Sequence, residues 1–131
     1  MKFLRNSLMI SADNAHAIHP NFSSKHDENH APKINKGVVI KVNANQRYAS
    51  NATSMAKFIV AAQKVDVGIQ KFVTRSDMGC GSTIGPITAT RLGIETIDVG
   101  LPTYAMHSIR ELAGQKDAYE LFEIVTQLTK E

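Results

Sequence analysis

Along the 131 residues, short apolar runs alternate with stretches of helical period, and polar loops divide them. Leu8-Met9-Ile10 reads as a short buried strand that ends at Asp13. Val38-Val39-Ile40-Lys41-Val42 is rich in β-branched residues and follows Gly37, which predicts a second strand. Met55, Phe58, Ile59, Ala62 and Val65 recur at helical spacing, with Thr53 or Ser54 placed to cap that helix. Val67 to Val73 predicts another buried strand, ending at Arg75-Ser76-Asp77. Gly79 to Thr83 then opens a helix with Ile84, Ile87 and Leu92 on its apolar side and Gly93 at its end. Ile94 to Val99 reads as a strand. Asp117 starts a last amphipathic helix with Tyr119, Leu121, Phe122, Ile124, Val125 and Leu128. Residues 14–36 show no period and read as one long loop, a length that in folded domains is usually functional or disordered. Strands alternating with helices predict an α/β sheet with helices on its faces.

Composition narrows the functional classes. With 43% hydrophobic and 21% charged residues the chain has enough apolar content to fold, as one domain over residues 1–131. A single cysteine, Cys80, excludes a disulfide framework and fits a reducing, cytoplasmic compartment. No apolar run approaches the ~20 residues of a membrane span. The N-terminal Met1-Lys2-Phe3-Leu4-Arg5 has only Leu8-Met9-Ile10 as an apolar core, which is too short for a secretory signal. The net charge of +3 comes from basic residues dispersed among acids, and three Tyr and five Phe supply few stacking surfaces. No nucleic-acid partner is expected.

Three polar clusters follow predicted strands: Ser11 to His16, Asp77 to Thr83, and Tyr104 to Ser108. Ligand sites of open α/β sheets lie beyond strand ends. An Asp and a His arriving there from different strands can ligate zinc through carboxylate oxygen and imidazole nitrogen. A lone Asp or His after a strand is more often a cap or a hydrogen-bonded loop residue. His16, His19, His26 and His30 match no zinc-module spacing. Gly79 to Gly85 lacks the lysine of a phosphate loop. Its backbone amides could bind an anion such as a carboxylate, or the glycines could simply allow close strand-to-helix packing. Cys80 is expected to pack near that helix start and to be dispensable for catalysis.

Four long motifs in order carry a more specific signal. Ser11-Ala-Asp13-Asn-Ala-His16-Ala-Ile-His19-Pro-Asn21, Val39-Ile-Lys41-Val-Asn43-Ala-Asn-Gln-Arg47-Tyr48, Cys80-Gly-Ser-Thr-Ile-Gly-Pro86 and Ala105-Met-His107-Ser-Ile-Arg-Glu111 resemble the aspartyl aminopeptidase family of zinc metallo-aminopeptidases. Lys25-His-Asp-Glu-Asn-His30 also matches. The resemblance implies a mixed sheet with helices on both faces, similar to the C-terminal portion of a two-zinc exopeptidase catalytic domain. It implies two co-catalytic zinc ions and a peptide substrate whose N-terminal, acidic residue is removed by a metal-activated water. Asp13 then matches a ligand of one zinc and His107 a ligand of the other. Asp13, His16, Lys41 and Tyr48 match substrate contacts, and Lys41 could hold an acidic side chain or a developing oxyanion. The five residues are expected to converge on one face.

The same pattern needs an earlier His-x-Asp, a bridging Asp and a Glu-Glu pair, including the general base, and none has a counterpart here. No catalytic acid or base is therefore assigned within this chain. It resembles a partial catalytic domain without the family's oligomerisation domain, as a split or truncated gene would encode. It is expected to work in a homo-oligomer or with a complementing N-terminal chain. The alternative is an inactive remnant.

Overall fold

The computed structural model describes residues 2–25, 27, 29–74, 77 and 79–130. A short helix α1 (Lys2–Arg5) leads into β1 (Leu8–Ala12), followed by β2 (Ala15–His16), a 3₁₀ stretch (Pro20–Lys25) and β3 (Val38–Val42). Helix α2 (Ala52–Lys64), β4 (Ile69–Val73), α3 (Ile84–Leu92), β5 (Glu95–Gly100), β6 (Pro102–Tyr104), β7 (Leu112–Ala113) and α4 (Gln115–Leu128) complete the order. The main sheet runs β1-β5-β3-β4, and a smaller one runs β2-β6-β7. In the main sheet β1 pairs with β5, and β3 with β4, in parallel, while β3 and β5 meet antiparallel. The sheet is mixed, as the resemblance implied.

Alternation along β3 and β5 divides the interior, because successive strand side chains point to opposite faces. Val38, Ile40, Ile97 and Val99 pack with Phe58, Ala61 and Ala62 of α2 and Ile124 of α4. On the other face Val39, Phe72, Ala15 and Tyr48 form a second cluster with Cys80 against it. Helix α3 also lies on that second face, with Gly85 against Asp98. Helices therefore cover both faces, and among the described residues none is long and apolar enough to cross a membrane.

Four details differ from the pattern reading. The cap of α2 is Asn51 rather than Thr53 or Ser54: its side chain accepts the amides of Thr53 and Ser54 at 2.9 and 3.0 Å, and Ser54 returns a bond to its amide. Asn51→Ala should cost about 1 kcal/mol, read as a lower urea midpoint. Residues 14–36 are not one unbroken loop, because β2 and the 3₁₀ stretch fall inside them. Ile84 and Ile87 of α3 are 67% and 56% exposed, while Gly85 is the buried position. The apolar stripe of α3 faces outward because its inner face must approach the Asp98 carboxylate, where a Cβ at position 85 would collide. Finally, α4 begins at Gln115, and Asp117 lies inside its first turn, accepting the amides of Asn35 and Gly37 at 2.7 and 3.0 Å. The predicted strand end at Arg75-Ser76, and His26 and Glu28 of the Lys25–His30 motif, lie outside the described residues.

Candidate functional site

The second face of the sheet carries most of the polar side chains singled out by the sequence. Asp13 leaves β1 hydrogen-bonded through its amide to the Val99 carbonyl, at 3.0 Å. The chain then crosses directly over Gly100, where a Cβ would strike the Asp13 carbonyl oxygen. That crossing brings the Asp13 carboxylate to 3.3 Å from the Lys41 ammonium, contributed by β3 on the far side of β5. The Lys41 side chain is 3% exposed and that of Asp13 is 59% exposed. The pair therefore has one end in the interior and one at the surface.

Burial lowers the pKa of Lys41, and the carboxylates of Asp13 and Asp98 oppose that shift. The Tyr48 ring lies over the ammonium, 5.5 Å from Nζ to the ring centroid. This is a cation–π distance. Phe72, paired across from Lys41 on β4, stacks edge-on with Tyr48 and also contacts the His16 ring, each at 6.4 Å between centroids. The Cys80 thiol donates to the Tyr48 hydroxyl at 3.3 Å and accepts from the Thr74 hydroxyl at 3.1 Å.

Burial first, together with the surrounding negative charge, pushes the Tyr48 phenol well above its usual value. Because the folded chain holds this proton more tightly than the unfolded one, the stabilisation is complete below about pH 10 and is lost as the pH rises further. Tyr48→Phe should flatten the alkaline fall in stability. It should also abolish the latest phenolate step in an absorbance titration.

His107 stands apart from this cluster. It is exposed, on the turn between β6 and β7, with a left-handed backbone at φ +69°, and Ala105 is also left-handed at +55°. Its amide donates to the Glu111 carboxylate at 2.8 Å, whose other oxygen lies 3.5 Å from the Asn14 side-chain nitrogen, beside Asp13. Asp13 and Tyr48 thus both contact Lys41, and His16 joins the cluster through Phe72. His107 is linked to their neighbourhood through Glu111 and Asn14.

Structural zinc sites hold four ligands and catalytic ones at least three from protein. Among the described residues no three His, Cys, Asp or Glu side chains are grouped to hold a metal ion. Asp13 and His107 carry suitable donor atoms, but these residues do not make a zinc site by themselves.

Sequence reading passed over Asp98. It is fully buried, and its two carboxylate oxygens accept from the Thr83 hydroxyl and the Ala49 amide, each at 2.6 Å. An acid inside an apolar run was its only signal.

Comparison with known proteins gives this arrangement a lineage. The family described as aminopeptidase I zinc metalloprotease (M18) matches residues 1–127. The chain belongs to the M18 family. Over 126 residues it is 58% identical to the probable M18 family aminopeptidase 2 of Azotobacter vinelandii, covering 96% of this chain and 29% of that protein. A chain of the mApe1 dodecamer of S. cerevisiae superimposes with a TM-score of 0.85 at 30% identity, covering 98% of this chain and 28% of that one. The M18 aminopeptidase of Thermotoga maritima gives a TM-score of 0.85 at 29% identity, covering 95% of this chain and 29% of that one. This M18 chain thus spans less than a third of the length of the curated relatives it matches. The aspartyl aminopeptidase resemblance is supported at the level of the M18 family.

Proposed function

We propose that residues 1–131 supply part of the catalytic domain of a zinc-dependent aminopeptidase that removes N-terminal, acidic residues from peptides. Family membership and the buried Lys41 ammonium facing the exposed Asp13 carboxylate support this reading, and the second is the observation that carries it. A desolvated ammonium beside a surface carboxylate is suited to an anionic side chain or a developing oxyanion, because water screens its charge little. In this reading Lys41 and Tyr48 contact substrate together with Asp13 and His16. Asp13 and His107 each offer one ligand to a zinc ion, and the remaining ligands and the general base come from elsewhere in the assembled protein. The setting is cytoplasmic. The working form is a homo-oligomer, for which the dodecameric yeast relative is the precedent, or a pair with a complementing N-terminal chain.

A second reading is an inactive remnant, favoured by the lack of any grouped metal donors among the described residues. Co-expression with the preceding portion of the Azotobacter relative separates the two. Zinc-dependent, chelator-sensitive release of an N-terminal aspartyl or glutamyl residue is the expected result. A stable complex without turnover would favour the remnant.

A further inference from the structure

We propose that Asp98 is a positioning residue that holds Tyr48 over Lys41. Asp98 touches neither side chain through a hydrogen bond; it acts through the segment that follows Tyr48. Its Oδ2 accepts the Ala49 amide at 2.6 Å. The Ser50 hydroxyl closes a second connection, accepting the Asp98 amide at 3.0 Å and lying 3.3 Å from the Asp98 carbonyl. Residues 49 and 50 are thereby fastened to the middle of β5, and Tyr48, one residue earlier, packs against Phe72 of β4 and Lys41 of β3.

The third attachment lies on the far side of the carboxylate. Oδ1 accepts the Thr83 hydroxyl at 2.6 Å, and Gly85 leaves room for the group against the first turn of α3. Thr83 is the N-cap of α3 yet makes no side-chain cap bond, so its hydroxyl serves Asp98 instead. A fully buried carboxylate that accepts two short bonds from segments 34 residues apart (83 minus 49) has little freedom to move. Bonds to a charged acceptor are the stronger kind, and leaving either donor unpaired inside the protein is costly. The segment carrying Tyr48 is therefore fixed to the sheet from below and braced by α3 from beside.

The role assigned to Tyr48 at a substrate rests on the aminopeptidase reading, but its placement is testable without hydrolysis. In the 131-residue chain, nuclear Overhauser contacts between the Tyr48 ring and the Lys41 ε-methylene, and the ring-current shift of that methylene, report the geometry directly. Asp98→Asn keeps the shape but offers only one acceptor oxygen for two donors. The contacts and the shift should be lost while the circular dichroism of the folded chain is retained. Ile97→Val, on the same strand but facing α2 and α4, should lower the melting temperature without moving either signal. If Asp98→Asn does not fold, Ser50→Ala, which leaves the carboxylate in place, should weaken the same contacts. Unchanged Tyr48–Lys41 contacts in a folded Asp98→Asn, or in Ser50→Ala when the first variant is unfolded, would overturn the proposal. Loss of turnover in a complemented enzyme with these contacts intact would count against the substrate role of Tyr48 instead.

Discussion

Purified residues 1–131, supplied with zinc, manganese or cobalt, are expected to release nothing measurable from acidic or leucyl aminopeptidase substrates. In the proposed assignment Asp13 and His107 are divided between two ions, which would leave each metal with one protein bond from this chain, too few for tight binding. No general base is assigned within the chain, and base catalysis alone is worth about 10²–10⁴-fold. His16, His19 or His30 can recruit a stray ion, but an ion not aligned with a scissile amide gains none of the advantage of orientation. The measurement is release of an amino-terminal aspartate, with and without chelator, on chain purified to constant specific activity. Chelator-sensitive turnover that follows this chain through every column would refute the expectation.

Gly100→Ala is the substitution expected to damage the site most from a distance. The added methyl meets the Asp13 backbone carbonyl, with further backbone of Asn14 close behind. A flexible side chain could swing aside, but two residues of main chain held by the Asp13 amide bond to Val99 and the Ala15 amide bond to Leu101 cannot. Overpacking of this kind costs about 1–3 kcal/mol, and an encounter with main chain places it toward the upper end. The crossing should lift and draw Asp13 away from Lys41. The urea midpoint should fall, and the amide resonances of Asp13 to Ala15 should shift while those of α2 stay in place. Wild-type shifts at Asp13 would show that the crossing tolerates a side chain.

Much of the scaffold could be read from periodicity alone. Val38–Val42 and the run through Ile97 and Val99 are strands because β-branched residues in short runs fit a sheet covered on both faces. Helix α2 followed from Phe58 and Ala62 at helical spacing, and both are fully buried. Helix α3 was legible as a helix but not in its orientation. Its three large apolar residues define a stripe by pattern, yet the packing face is set by Gly85, which has no side chain to register. The acceptors of the Asn51 cap and the Asp117 anchor were equally hard to foresee, because one choice among adjacent polar residues depends on backbone angles.

The candidate site divides the same way. Motifs pointed to Asp13, Lys41 and Tyr48, which the fold brings together. Nothing in the alternation of β3 says that Lys41 is buried, since a lysine in a strand ordinarily marks the wet face. Its burial depends on Phe72 and Tyr48, which arrive from 31 positions later (72 minus 41) and 7 positions later (48 minus 41) in the chain. Asp98 was missed because its donors, Ala49 and Thr83, lie 49 and 15 residues away. A contact made wholly by tertiary structure leaves no local trace of its partners, and an acid within an apolar run was all that showed.

The left-handed backbone at His107 also constrains how this position can drift. Glycine, asparagine and aspartate adopt that conformation readily, whereas β-branched residues pay heavily for it. Of the tolerated residues none but histidine carries an imidazole. A lineage still selected to fold, but no longer for the imidazole, should accordingly accumulate Gly, Asn or Asp at position 107 ahead of Val, Ile or Thr. Retention of histidine among many copies would mark continued demand for its ring nitrogen, and the substitution spectrum at this one codon would separate a living lineage from a decaying one.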